Sequence, residues 1–240
     1  MIGLSEAGVY SVSYSAGQIM TIFKTCIVDS MRPWVYERLN KKEYDRITSS
    51  VCGVTFLVTL VSIVFAAVAP ELIKILAAPQ YYEAIYVIPP VALSSLFTFI
   101  YQIFVVVETY YEKTTKIMKA SVCAAILNLI LNFFLIPVYG YIIAGYTTLV
   151  SYIFLSVFHY IAVKEIQREK GIKNFFDIKS LVCIATIGII ACIAVSFLYQ
   201  YPILRYSILL ICISGIVILR NLIFGLFNYI RNRWKEKHSS

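Results

Sequence analysis

LVCIATIGIIACIAVSFL, residues 181–198, decides what kind of molecule this chain is. Its eighteen residues contain no charge, no proline and no amide side chain. At about 1.5 Å rise per residue a helix of that length comes close to crossing a hydrocarbon core of about 30 Å. A membrane-spanning strand would need only about 10 residues and would alternate apolar with polar positions. This run does not alternate, so it reads as a transmembrane helix. In lipid, only a helix satisfies the backbone within a single segment.

Working outward, comparable apolar runs lie at residues 8–31, 49–69, 86–108, 117–136, 141–163 and 203–224, with the opening run extending over 179–199. The whole chain of 240 residues is 60% hydrophobic and 14% charged, with mean hydropathy +0.80. A soluble domain is about half apolar and a quarter charged. The expected fold is therefore all-α: a polytopic membrane bundle of about seven transmembrane helices. No Ser/Gly/Pro-rich linker divides it, and the longest polar segments are residues 32–48 and 164–179.

The charges give an expected orientation. If the N-terminus lies outside, eighteen of the 21 basic residues fall on cytoplasmic segments. They are Arg32, Arg38, Lys41, Lys42, Arg46, Lys113, Lys116, Lys119, Lys164, Arg168, Lys170, Lys173, Lys179, Arg220, Arg231, Arg233, Lys235 and Lys237. Lys74 and Arg205 are left outside, and Lys24 falls within a span. Basic residues stay on the cytoplasmic side, so the N-terminus is expected out and the C-terminus in. The net charge of +8 then reports topology and contact with anionic lipid, and its dispersal over four membrane-edge segments speaks against nucleic acid. Residues 1–7 are short, lack basic residues and contain Glu6, unlike a signal peptide. The seven prolines are expected at span boundaries, and residues 70–82 as an apolar loop along the outer interface. The six cysteines form no CxxC pair and read as small packing residues.

The first span is not plain. On a helical wheel Ser11, Tyr14, Gln18, Thr21, Thr25, Asp29 and Arg32 occupy an arc of roughly 80°. Lys24 lies beyond its edge, near Ser13 and Gly17. The third span carries Ser95, Thr98, Gln102 and Thr109, the fourth Ser121, Asn128 and Asn132, and the fifth Thr148, Ser151 and Tyr152 after Gly145. Taken singly these residues are interhelical hydrogen-bonding glue, but four striped helices together suit a water-filled cavity. A charge near mid-membrane is costly and faces a bundle interior or an aqueous path. For Lys24 the alternatives are that role or snorkelling to the interface. For Asp29 they are an interfacial ion pair with Arg32 or a part in ion coupling. Glu108 and His159 read as interfacial residues at helix ends. No HExxH, GxSxG or GxxxxGK[ST] pattern occurs and no carboxylate cluster suggests a metal, so neither catalysis nor a cofactor is expected.

Four stretches carry a family resemblance. ILNLILNFFLIPVYGYIIAGYTTLVSYIF (residues 126–154) resembles the part of bacterial polysaccharide flippases where paired asparagines lead into LIP, a glycine turn and a Gly/Ala/Thr-rich helix. SEAGVYSVSYSAGQI (residues 5–19), MRPWVYERL (residues 31–39) and APELIKIL (residues 69–76) are similar to other landmarks of the same family, in the same order. The chain thus resembles the C-terminal half of a Wzx-type polysaccharide or O-antigen flippase, of the multidrug/oligosaccharidyl-lipid/polysaccharide exporter superfamily. Members of that family have fourteen helices. The resemblance implies that residues 1–163 are five cavity-lining helices of the second lobe. Residues 164–240 would be two further apolar helices and a basic tail.

It also implies a function: flipping undecaprenyl-diphosphate-linked oligosaccharides across the bacterial cytoplasmic membrane for surface polysaccharide or capsule synthesis. Tyr14, Gln18, Thr21, Lys24, Thr25, Thr98, Gln102, Asn128, Asn132 and Thr148 would line the substrate cavity, and Asp29 would be the candidate for ion coupling. The implied partners are the lipid-linked glycan, membrane lipids, an N-terminal half or second copy, and polysaccharide assembly enzymes. The competing readings are a non-transporting assembly scaffold and a multidrug exporter of the same superfamily.

Overall fold

In the computed structural model, which describes residues 4–172 and 174–218, the chain folds into α-helices and two short 3-10 turns, with no strand among those residues. The helices are α1 (Leu4–Asn40), α2 (Tyr44–Ala67), α3 (Ala69–Leu76), α4 (Ile88–Tyr110), α5 (Thr114–Tyr139), α6 (Ile143–Glu169), α7 (Ile178–Phe197) and α8 (Pro202–Ile218).

Five of them, α2, α4, α5, α6 and α7, are long and apolar enough to cross a membrane, which corrects the expected seven. The first span falls short on polarity: its tyrosines, hydroxyls, Gln18 and Lys24 dilute its hydropathy, although α1 is 37 residues long. The last falls short on length: α8 is described over 17 residues, and the remainder of the expected run, to residue 224, lies outside the described residues. Lys173 and the basic residues from Arg220 onward lie outside them too. The chain is a multi-pass, all-α membrane protein.

Two prolines near the ends of expected spans do not end their helices: α1 runs through Pro33, and Pro137 lies two residues before the end of α5. Pro33 is exposed. Residues 70–82 are not a loop. Pro70 opens the short helix α3, and Pro79 opens a 3-10 turn that leads into α4.

α4 is the axis of the bundle. Most of its residues are buried, with Leu96, Phe99, Ile103 and Phe104 in the core, while one face carries Ser94, Ser95, Thr98 and Gln102. α1 and α6 flank it and scarcely touch one another, while α2 packs behind it and carries α7 and α8. α5 lies on α6 and meets almost nothing else. With lipid tails as apolar as leucine, such contacts depend on close packing more than on hydrophobicity. Gly145 serves that purpose, since a Cβ there would stand 3.0 Å from Pro90 Cγ.

The α1–α2, α4–α5 and α6–α7 turns share one end of the bundle and one geometry. In each, two successive amides bond back to helical carbonyls, as Lys42 to Leu39 (3.1 Å) and Glu43 to Arg38 (3.0 Å) do after α1. Lys42 and Glu112 take the left-handed conformation there (φ 56° and 59°), as Gly171 does in the third turn. Ion pairs then tie the end together: Arg38 with Glu43, Lys113 with Glu169 at 2.6 Å, and Lys116 with Glu165 at 2.6 Å. Tyr110 also donates to Asn40 from α4 to α1. Arg38 beside Glu43 holds that carboxyl below its ordinary range, with Arg46 and Lys41 adding to the effect.

Candidate functional site

The groove between α1 and α6, floored by α4, contains two cavities placed one after the other. The upper one, about 140 Å³, is lined from α1 by Tyr14, Gln18, Thr21 and Lys24, from α4 by Ser94, Ser95 and Thr98, and from α6 by Thr148 and Tyr152. The lower one, about 270 Å³, is lined by Thr25, Asp29 and Arg32 of α1, Tyr101 and Gln102 of α4, Ser121 of α5 and His159 of α6. Residue numbers rise along all three main walls together, so α1, α4 and α6 run in the same direction. The 3.6-residue repeat returns their polar positions to the groove turn after turn.

Six of the ten expected cavity residues, Tyr14, Gln18, Thr21, Lys24, Thr98 and Thr148, therefore meet in the upper cavity. Thr25 and Gln102, with Asp29, belong to the lower one. Asn128 and Asn132 line neither. Asn132 Nδ2 donates to Asn128 Oδ1 at 3.0 Å and Thr147 donates to Asn132 Oδ1 at 2.5 Å, so the pair stitches α5 to α6.

Lys24 stands at the edge of the polar arc and is turned inward. It is 7% exposed, lines the upper cavity, and makes no ion pair or hydrogen bond to a described residue. Asp29 is different: its side chain is 62% exposed and lies 3.5 Å from Arg32 one helical turn on. Many of the hydroxyls bond to their own helix. Thr98 donates to the Ser94 carbonyl at 2.6 Å and Thr148 to the Ala144 carbonyl at 2.8 Å. Such a hydroxyl keeps its oxygen lone pairs for a ligand that brings donors. The upper cavity thus combines one cationic donor with a wall of acceptors.

Glu108 and His159, expected at helix ends, are packed inside the bundle. Both are buried, at 0% and 1% exposure, and His159 Nδ1 lies 2.6 Å from Glu108 Oε1. Tyr101 stacks on the His159 ring with centroids 5.6 Å apart. His159 continues the α6 face that carries Thr148 and Tyr152, whereas Glu108 lies off the α4 stripe, and the packing of α6 on α4 brings the two together. The six cysteines are free. Cys192 and Cys212 are buried as expected, whereas Cys26, Cys123 and Cys183 are exposed on the bundle surface. Among the described residues no three His, Cys, Asp or Glu side chains gather as a metal site.

Comparison with family models, with curated proteins and with solved structures gives no match for this chain.

Proposed function

We propose that this chain is the cavity-lining lobe of a flippase for undecaprenyl-diphosphate-linked oligosaccharides in a bacterial cytoplasmic membrane. The observation that carries the reading is Lys24, a buried cation on the wall of a cavity whose other polar lining consists of hydroxyl, amide and phenol groups. An uncompensated charge inside a membrane bundle is expensive, which favours a functional reason for keeping it. In this reading the Lys24 ammonium attracts the diphosphate or an acidic sugar. Gln18, Thr21, Thr98 and Thr148 meet the hydroxyls of the glycan. The lipid tail stays in the bilayer while the head group crosses by alternating access.

The exposed, groove-lining face of α1 supports a partner lobe in the same scheme. Tyr14, Gln18, Thr25 and Asp29 are exposed along a helix set among membrane-spanning neighbours, a face ill suited to lipid. A second bundle, from a separate N-terminal half or a second copy, closes the groove there. The turns rich in Lys and Arg face the cytoplasm, following the distribution of basic residues.

The test is transbilayer movement of a tagged lipid-linked glycan in liposomes that contain the chain and its partner lobe. Lys24→Ala removes a charge-assisted contact of about 1.5–3 kcal/mol and slows subsaturating transport roughly ten- to a hundredfold. Absence of transport by the complete assembly, or an unchanged rate in Lys24→Ala, refutes the assignment.

A further inference from the structure

The lower cavity ends on a pair of titratable groups that the translocation reading does not use. Glu108 from α4 and His159 from α6 are as deeply buried as the apolar core around them, and they meet at 2.6 Å. A contact that short between imidazole Nδ1 and a carboxylate oxygen requires a proton between them. The opposite imidazole nitrogen, Nε2, is itself buried and has no hydrogen-bond partner among the described residues, and the His159 side chain contributes to the inner end of the cavity wall.

We propose that Glu108 and His159 form a proton-binding site whose exchangeable proton sits on His159 Nε2, facing the lower cavity. In the proton-free state Nδ1–H donates to the Glu108 carboxylate and the pair carries one negative charge. Uptake of a proton from cavity water by the Nε2 lone pair gives imidazolium beside carboxylate, with no net charge. The same step turns Nε2 from an acceptor into a donor and makes the cavity one unit more positive.

The surrounding charges leave this site to act alone. From α1 the cavity receives Asp29 and Arg32, which already pair with each other. α4 contributes Tyr101, and α5 contributes Ile117 and Ser121, which do not titrate. Towards the end of the bundle, Lys113, just before α5, and Lys116 of α5 pair with Glu169 and Glu165 of α6. α2 and α7 also pack on α4, and neither sends a hydrogen bond or ion pair to Glu108 or His159.

The test needs no transport and stands apart from the flippase assignment. The chain has two histidines, so His238→Gln leaves His159 alone. The full chain carrying that change is labelled with ¹⁵N-histidine in lipid nanodiscs and followed by NMR between about pH 5 and 8, where histidine is the side chain best placed to change charge. The neutral ring is expected as the Nδ1–H tautomer, gaining a second proton on Nε2 as the pH falls. Glu108→Leu removes acceptor and counter-charge together, with loss of both the Nδ1–H tautomer and the doubly protonated form. A neutral Nε2–H tautomer in the Glu108-containing chain, or a ring whose spectrum ignores pH, overturns the proposal. That spectrum decides even if the Leu variant does not fold.

Discussion

Gly17 of α1 and Val91 of α4 are so close that a Cβ on residue 17 would lie 2.4 Å from Val91 Cγ1. No real Cβ sits that near a carbon, and the valine methyl has little freedom to withdraw. The two residues also line the upper cavity, so the tightest approach of α1 to α4 fixes the cavity's width. Gly17→Ala is expected to push α1 away and destabilise the bundle by about 1–3 kcal/mol. Thermal unfolding in nanodiscs reads the loss, and Val91→Ala in the same chain should restore most of it. No recovery in the double variant would place the strain elsewhere.

Lys24 gives the opposite sign. Replacing it with methionine keeps the stem and removes the buried charge, whose cost near mid-membrane is about 2.5 kcal/mol on insertion scales. The Lys24→Met chain is expected to unfold at a higher temperature while losing transport. A lower unfolding temperature would mean that the ammonium holds the fold together.

The seam between α5 and α6 can be tested by a double-mutant cycle on Asn132 and Thr147, joined by a 2.5 Å hydrogen bond. Asn132→Leu and Thr147→Val should each destabilise, with a coupling of about 0.6 kcal/mol and at most about 1.7 kcal/mol. Zero coupling would show that the two side chains do not hold each other in the membrane.

The α1–α2 corner should respond to acid. Arg38 lowers the Glu43 pKa in the folded chain below the ordinary carboxylate value of 4.5. A depressed carboxyl contributes stability above the unfolded-state value, and that contribution is lost as pH falls through the lower folded value. Hydrogen-exchange protection at residues 40–46, taken relative to the intrinsic rate, should therefore fall below about pH 4.5. Glu43→Gln should show fast exchange already at neutral pH and no further acid dependence from this group. An identical acid response in Glu43→Gln would assign it to another group.

Helical character and the polar face of α1 were legible because both are written in periodicity. Gln18, Thr21, Thr25 and Asp29 recur at helical spacing, and they do line one groove. Lys24 was ambiguous at the edge of that arc, since an angle on a wheel does not say which neighbour covers it. The Glu108–His159 pair was not legible at all. Its members are 51 positions apart, and no local pattern records which turn of α6 meets which turn of α4. Asn128 and Asn132 show the converse limit. Their spacing announces a polar face on α5, and the Asn132–Thr147 bond shows that face turned towards α6. The span count failed for a related reason, because the polarity that makes α1 interesting also lowers the hydropathy by which a span is counted.

The position of α5 has a consequence for how the molecule comes apart. A helix held along one neighbour, with most of its surface turned outward, has little to lose by leaving. Regions with few buried contacts open first and at the lowest free energy. α5 is thus a loosely held plank of the bundle, and its amides should exchange long before those of α4. When it lifts, Ile117 and Ser121 leave with it and the lower cavity gains a side door, while the upper cavity keeps every wall it had.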